Sequence, residues 1–237
     1  DLPVPHVGCD SSFSWGKKWG HLAQYDDIET LVKKMSTVKW TGDKEHHSSP
    51  TAYKLSPCTL QNDAVHLVIT GGEPLLKGFQ PALRELIYHP DVFTRFVTFE
   101  TNGTQIFAPD NSVEFTRKFG VNKNSGITWS VSPKLSNSGE KWEEAIRPEA
   151  LASYNAWPYS YLYLKFVVRD EDDMKEVHEA VRAYDHARVN IDAIYLMPET
   201  GDAQVDTEHT VAQLALKYGY KYSPRLQINL FGNEWGT

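Results

Sequence analysis

An α/β fold on a mostly parallel sheet is what this sequence predicts, and three observations carry the prediction. Apolar runs rich in β-branched and aromatic residues recur along the chain, amphipathic helical stretches separate them, and each run ends in polar or glycine-rich residues. Parallel strands need crossover connections, and the intervening helices supply them. A closed, half-closed or open sheet would all fit this periodicity. No internal repeat or second domain interrupts it, so residues 1–237 read as one domain.

Taken in order, Ile28, Leu31, Val32, Met35 and Val38 keep helical spacing behind an Asp26-Asp27 start. Residues 41–57 read as an inserted polar loop; His46 and His47 within it are candidate metal ligands, but a solvated loop is the favoured reading, since no helix fixes their spacing. Strands are predicted over 65–70, 96–101, 127–132, 161–168 and 193–197. Phe79, Leu83, Leu86 and Ile87 mark a second helix, and Met174, Val177, Val181 and Tyr184 a third, opened by Asp170. Val211, Leu214, Ala215 and Tyr218 mark a fourth, capped near Thr207.

Composition narrows the classes of function. The chain has 237 residues, 41% of them apolar and 12% aromatic, enough for a substantial core. Its net charge of −7 and lack of a basic run argue against nucleic acid as the main partner. No apolar stretch approaches the roughly 20 residues that span a bilayer, so no membrane partner is expected. No signal-peptide pattern opens the chain, and two cysteines, Cys9 and Cys58, make no disulfide scaffold; a reducing cytoplasm is the expected compartment.

In parallel α/β sheets, ligands gather at the carboxyl ends of the strands. Thr70-Gly71-Gly72-Glu73-Pro74 follows the first strand, where paired glycines let backbone groups approach a ligand closely. Glu100 is a carboxylate inside a β-rich run, so it is solvated, paired or functional. After it, Thr101-Asn102-Gly103-Thr104 also reads as a plain Asn-Gly turn. Ser132-Pro133-Lys134 offers a hydroxyl and an ammonium, and Met197-Pro198-Glu199-Thr200 caps the fifth strand. Lys165 shares a strand face with Tyr161 and Tyr163, which leaves two readings open: a side chain in a barrel lumen, or a lysine snorkelling from a sheet edge. Glu100 and Lys165 are the candidate catalytic side chains.

Together these motifs resemble the radical S-adenosylmethionine superfamily and, within it, the 7-carboxy-7-deazaguanine synthase family. Thr70-Gly71-Gly72-Glu73-Pro74 is similar to the superfamily's cofactor motif. The narrower signals are Cys9-Asp10-Ser11, Glu100-Thr101-Asn102-Gly103-Thr104, Ser130-Val131-Ser132-Pro133-Lys134 and Leu164-Lys165-Phe166-Val167-Val168. The resemblance implies a shortened, partial (β/α) barrel, in most relatives a homodimer. It also implies a [4Fe-4S] cluster, S-adenosylmethionine and Mg²⁺ as cofactors, and a reductant such as flavodoxin. The implied reaction abstracts a hydrogen from C6 of 6-carboxy-5,6,7,8-tetrahydropterin and contracts the ring with loss of ammonia, giving 7-carboxy-7-deazaguanine.

Residue roles follow from the resemblance alone. Cys9 is implied as a cluster thiolate and Ser11 as a Mg²⁺ ligand. Gly71, Gly72, Glu73, Ser132, Pro133, Lys134, Met197, Pro198, Glu199 and Thr200 are implied around the cofactor. Thr70 and the C-terminal Thr237 are implied at the pterin. Met197 stands where many relatives have Gln, which leaves backbone contacts as the expected interaction there.

The family's cluster motif takes three cysteines in the spacing C-x3-C-x2-C. Counting back from Cys9 meets His6 and Leu2 instead. The expectation is therefore that residues are missing before Asp1 and between Val7 and Gly8, and that they carry the other two cysteines. Two alternatives stand beside the synthase: another small radical enzyme, such as a glycyl-radical activase, and a cluster-less relative that binds a pterin or nucleoside.

Overall fold

The computed structural model describes residues 26–37, 66–92, 96–110, 126–199, 207–226 and 230. Within them, six strands form one all-parallel sheet in the order of the chain: β1 (His66–Ile69), β2 (Phe96–Thr101), β3 (Gly126–Val131), β4 (Ser160–Val168), β5 (Ala193–Pro198) and β6 (Lys221–Tyr222). The sheet is an open α/β arrangement and does not close into a barrel among the described residues. Helices α1 (Ile28–Thr37), α2 (Gln80–Tyr88), α3 (Trp142–Ala145), α4 (Pro148–Asn155), α5 (Glu171–His186) and α6 (Thr207–Tyr218) accompany it.

The predicted strands and four predicted helices are present, with boundaries shifted by one or two residues. The first helix ends at Thr37, and Val38 lies outside the described residues, as does the 41–57 loop with His46 and His47. Asp27 starts α1 by accepting the Thr30 amide hydrogen bond at 2.7 Å. Asp170 caps α5 by accepting from the amides of Asp172 and Asp173 at 2.9 and 3.2 Å. Acidic Glu171, Asp172 and Asp173 fill the first turn of α5, where the helix dipole favours negative charge.

Alternation divides the sheet into two faces. Val97, Phe99, Ile127, Trp129, Val131, Leu162, Leu164, Phe166, Val168 and Leu196 are buried in the core. Trp129 stacks between Phe99 at 4.8 Å and Tyr154 of α4 at 4.5 Å, and Phe107 stacks on Trp157 at 5.4 Å. Each such ring contributes on the order of 1.5–3 kcal/mol by leaving water. The other face carries Thr98, Glu100, Thr128, Ser130, Tyr161, Tyr163 and Lys165. An apolar face thus fixes the sheet while a polar face is left to carry chemistry.

Candidate functional site

The polar face is organised at the carboxyl ends of β1 to β5. After β1 the chain turns at Gly71, whose φ of +147° leaves open space where a Cβ would stand. Gly71 and Gly72 are exposed, so their backbone groups can meet a ligand. Glu73 turns inward. Its carboxylate accepts from the Leu75 amide at 2.9 Å, the Asn102 amide at 2.8 Å and the Thr101 hydroxyl at 2.8 and 2.9 Å. Burial pushes the Glu73 carboxyl up, and the Asn102, Leu75 and Thr101 donors and the Lys134 charge only partly oppose it. Glu73 therefore locks the loop after β1 to the end of β2.

Asn102 makes a local turn, accepting from the Thr104 amide at 3.0 Å and the Thr104 hydroxyl at 2.8 Å. Gly103 within it has φ +81°, and a Cβ there would lie 2.7 Å from Val131 Cγ1. The turn is thus packed tightly against the end of β3.

Glu100 lies at the centre. The Thr70 hydroxyl donates to Glu100 Oε2 at 3.1 Å, and Lys165 Nζ stands 3.6 Å from Glu100 Oε1. Lys165 is 21% exposed and Glu100 43%. β4 lies between β3 and β5, so Lys165 does not sit on a sheet edge; it stands on the polar face of a sheet that does not close into a barrel among the described residues. Tyr161, Tyr163 and Tyr195 follow along the same face, with ring centroids 6.0 and 5.2 Å apart. Ser130, in register with Glu100 and Tyr163, is buried, and its hydroxyl has no hydrogen-bond partner among the described residues.

The Ser132 amide donates to Thr101 O at 2.8 Å, which fixes Ser132-Pro133-Lys134 beside the end of β2. The Glu199 amide donates to Val168 O at 3.1 Å, and its carbonyl accepts from the Thr207 hydroxyl at 2.6 Å. Arg225 Nε donates to Met197 Sδ at 3.4 Å. Cys9, Ser11, Thr200 and Thr237 lie outside the described residues, as does the Val7–Gly8 junction. Among the described residues no three His, Cys, Asp or Glu side chains are grouped to hold a metal ion.

One network was not anticipated from sequence. Asp173 is 5% exposed and accepts from the Arg169 amide at 2.8 Å, Arg169 Nε at 3.0 Å and Arg169 Nη2 at 2.9 Å. Asn137 Nδ2 donates to the same carboxylate at 3.1 Å and to Val167 O at 2.9 Å. Burial acts to raise the Asp173 carboxyl, but the Arg169 and Asn137 donors outweigh it and hold it below the usual carboxylate range. The four-residue spacing of Arg169 and Asp173 at a helix start was the available signal.

No protein-family model matches the chain, and no solved structure matches it. Curated proteins do. The 7-carboxy-7-deazaguanine synthase of Pyrobaculum aerophilum is 33% identical over 244 aligned positions, covering 99% of this chain and 84% of the relative. That of Halobacterium salinarum is 33% identical over 193, covering 72% of this chain and 66% of the relative. That of Rhodopirellula baltica is 30% identical over 185, covering 73% and 63%. With 99% of its length aligned to a relative 33% identical to it, the chain belongs to the 7-carboxy-7-deazaguanine synthase family.

Proposed function

We propose that this chain converts 6-carboxy-5,6,7,8-tetrahydropterin to 7-carboxy-7-deazaguanine and ammonia. The observation that carries the reading is Glu100, held by Thr70 and Lys165 on the polar face at the strand ends. The exposed Gly71-Gly72 backbone and the Lys134 ammonium suit S-adenosylmethionine and a polar heterocycle on that face. When bound, the cofactor and a [4Fe-4S] cluster supply the one-electron chemistry that starts the rearrangement.

The remaining work belongs to side chains. Gly71, Gly72, Glu73, Ser132, Pro133, Lys134 and the 197–200 segment hold the cofactor, while Thr70 and Thr237 hold the pterin. Glu100 accepts a hydrogen bond from a ring N–H and exchanges a proton there. Lys165 neutralises Glu100 and offers its ammonium to the substrate carboxylate. The nitrogen lost from the ring leaves as ammonia and needs protons, and these two groups are placed to supply them. The tyrosines along the face give planar surfaces for the pterin. Cys9 serves as a cluster thiolate and Ser11 as a Mg²⁺ ligand, with flavodoxin as reductant, a homodimer as the assembly and the cytoplasm as the compartment. Among the described residues no helix is long and apolar enough to cross a membrane.

The test is anaerobic incubation of the cluster-reconstituted full-length protein with carboxypterin, S-adenosylmethionine, Mg²⁺ and reductant. Formation of 7-carboxy-7-deazaguanine is expected. A cluster-replete sample that leaves the pterin unchanged sinks the reading.

A further inference from the structure

We infer that Arg169 and Asp173 are positioning residues that set the spacing of the two loops around the adenosine part of the cofactor. The inference rests on the reading above, which puts Ser132, Pro133 and Lys134 on one side of that cofactor and Met197 to Thr200 on the other. Ser132 directly follows β3 and Glu199 directly follows β5, with β4 between those strands. A device at the end of β4 is therefore the direct way to couple them.

Asp173 is that device. Through Asn137 Nδ2 at 3.1 Å it holds the turn Ser136–Ser138, immediately after Lys134 and Leu135. Through three bonds from Arg169 it holds the last turn of chain before α5. Arg169 Nε in turn stands 3.6 Å from Glu199 Oε2, in the loop after β5. Glu199 is already pinned at its amide by Val168 O and at its carbonyl by Thr207. A second tie runs parallel, because the Ser136 amide and hydroxyl donate to Glu176 of α5 at 2.9 and 2.7 Å. A planar guanidinium fits this bridging role, since Nε and Nη2 face Asp173 bidentately while the delocalised charge attracts Glu199, 3.6 Å from the same Nε. A buried carboxylate with four donors is held to one geometry, because any displaced donor would be left unpaired. None of these atoms needs to touch the reacting carbon. Their effect is on where the adenosine lies.

The test measures equilibrium binding of S-adenosylmethionine to the cluster-reconstituted full-length protein, anaerobically and without reductant, alongside the KM for carboxypterin. Arg169→Gln is the principal variant, because Arg169 is 45% exposed and its replacement leaves the core intact; Asp173→Asn is the second. Both are expected to weaken cofactor binding on the order of tenfold, with the pterin KM changed less than about twofold. Arg169→Lys restores only part, and Lys175→Ala, on the solvent side of α5, leaves both values unchanged. Unaltered cofactor affinity in Arg169→Gln overturns the inference. So does a parallel loss of both affinities that follows the melting temperature, because that is a purely structural effect. A wild-type protein that binds no S-adenosylmethionine overturns the functional reading, and this inference with it.

Discussion

Lys165 on β4 reaches over β3 to within 3.6 Å of Glu100 on β2, so one ion pair crosses three strands of the polar face. Beneath that span, in register with Glu100, lies Ser130 with its hydroxyl buried and unpartnered among the described residues. The Thr70 hydroxyl, immediately after β1, donates to the same carboxylate. Glu100 on β2 thus takes one partner from the loop after β1 and one from β4.

Replacing Lys165 by Met should separate catalysis from stability. A half-exposed pair contributes no more than about 1 kcal/mol to folding, so the urea midpoint should move little. Loss of a group that handles protons should lower kcat by about a hundredfold or more. Glu100→Gln should behave alike. A Lys165→Met protein with wild-type turnover removes this lysine from the mechanism.

Glu73 predicts an unusual pH dependence of stability. Its carboxyl is raised in the folded state by burial, so the native protein holds that proton more tightly than the unfolded chain does. The contribution of Glu73 to stability is then fullest below the ordinary carboxyl range and falls as pH rises through the raised value. The stability advantage of wild type over Glu73→Gln should shrink as pH rises upward from the ordinary carboxyl range. Denaturant titrations across that range check the sign, and a growing advantage contradicts it.

Asp170→Ala removes two hydrogen bonds at the start of α5. A loss of about 1 kcal/mol is expected. Asp172→Ala, which breaks an exposed pair with Lys175 and removes one of three first-turn carboxylates, should cost less than about half as much. Equal losses in urea melts would show that the cap contributes nothing special.

Gly103→Ala places a methyl group against Val131 Cγ1 at 2.7 Å and Leu151 Cδ1 at 3.0 Å, in a backbone with φ +81°. The expected cost is on the order of 1–3 kcal/mol, read as a lower melting temperature. A neutral effect would mean that the Asn102 turn relaxes freely.

The parallel sheet was legible because helical stretches separate apolar, β-branched runs and so supply crossover connections. The Asp170 start of α5 was legible too. Helix α4 was not: its eight residues hold Ala150, Leu151 and Tyr154 buried, too short a run to repeat a stripe. Strand β6, at two residues, carries no period at all. Lys165 stayed open between two readings because strand order, not alternation, decides whether a strand is an edge. The Arg169–Asp173 pair shows in the spacing, yet its reach to Asn137 and Glu199 depends on where α5 docks. Ser130 could have been placed on the ligand face by counting from Ser132, but its lack of a partner among the described residues only emerges from packing.

The most direct test of the catalytic claim follows the hydrogen at C6. Carboxypterin deuterated at that carbon is incubated anaerobically with the cluster-reconstituted full-length protein, S-adenosylmethionine, Mg²⁺ and reductant, and the 5′-deoxyadenosine and deazapurine are read by mass spectrometry. Deuterium in the 5′-deoxyadenosine pool together with 7-carboxy-7-deazaguanine is the predicted result. Unlabelled 5′-deoxyadenosine with the carboxypterin recovered intact would contradict it.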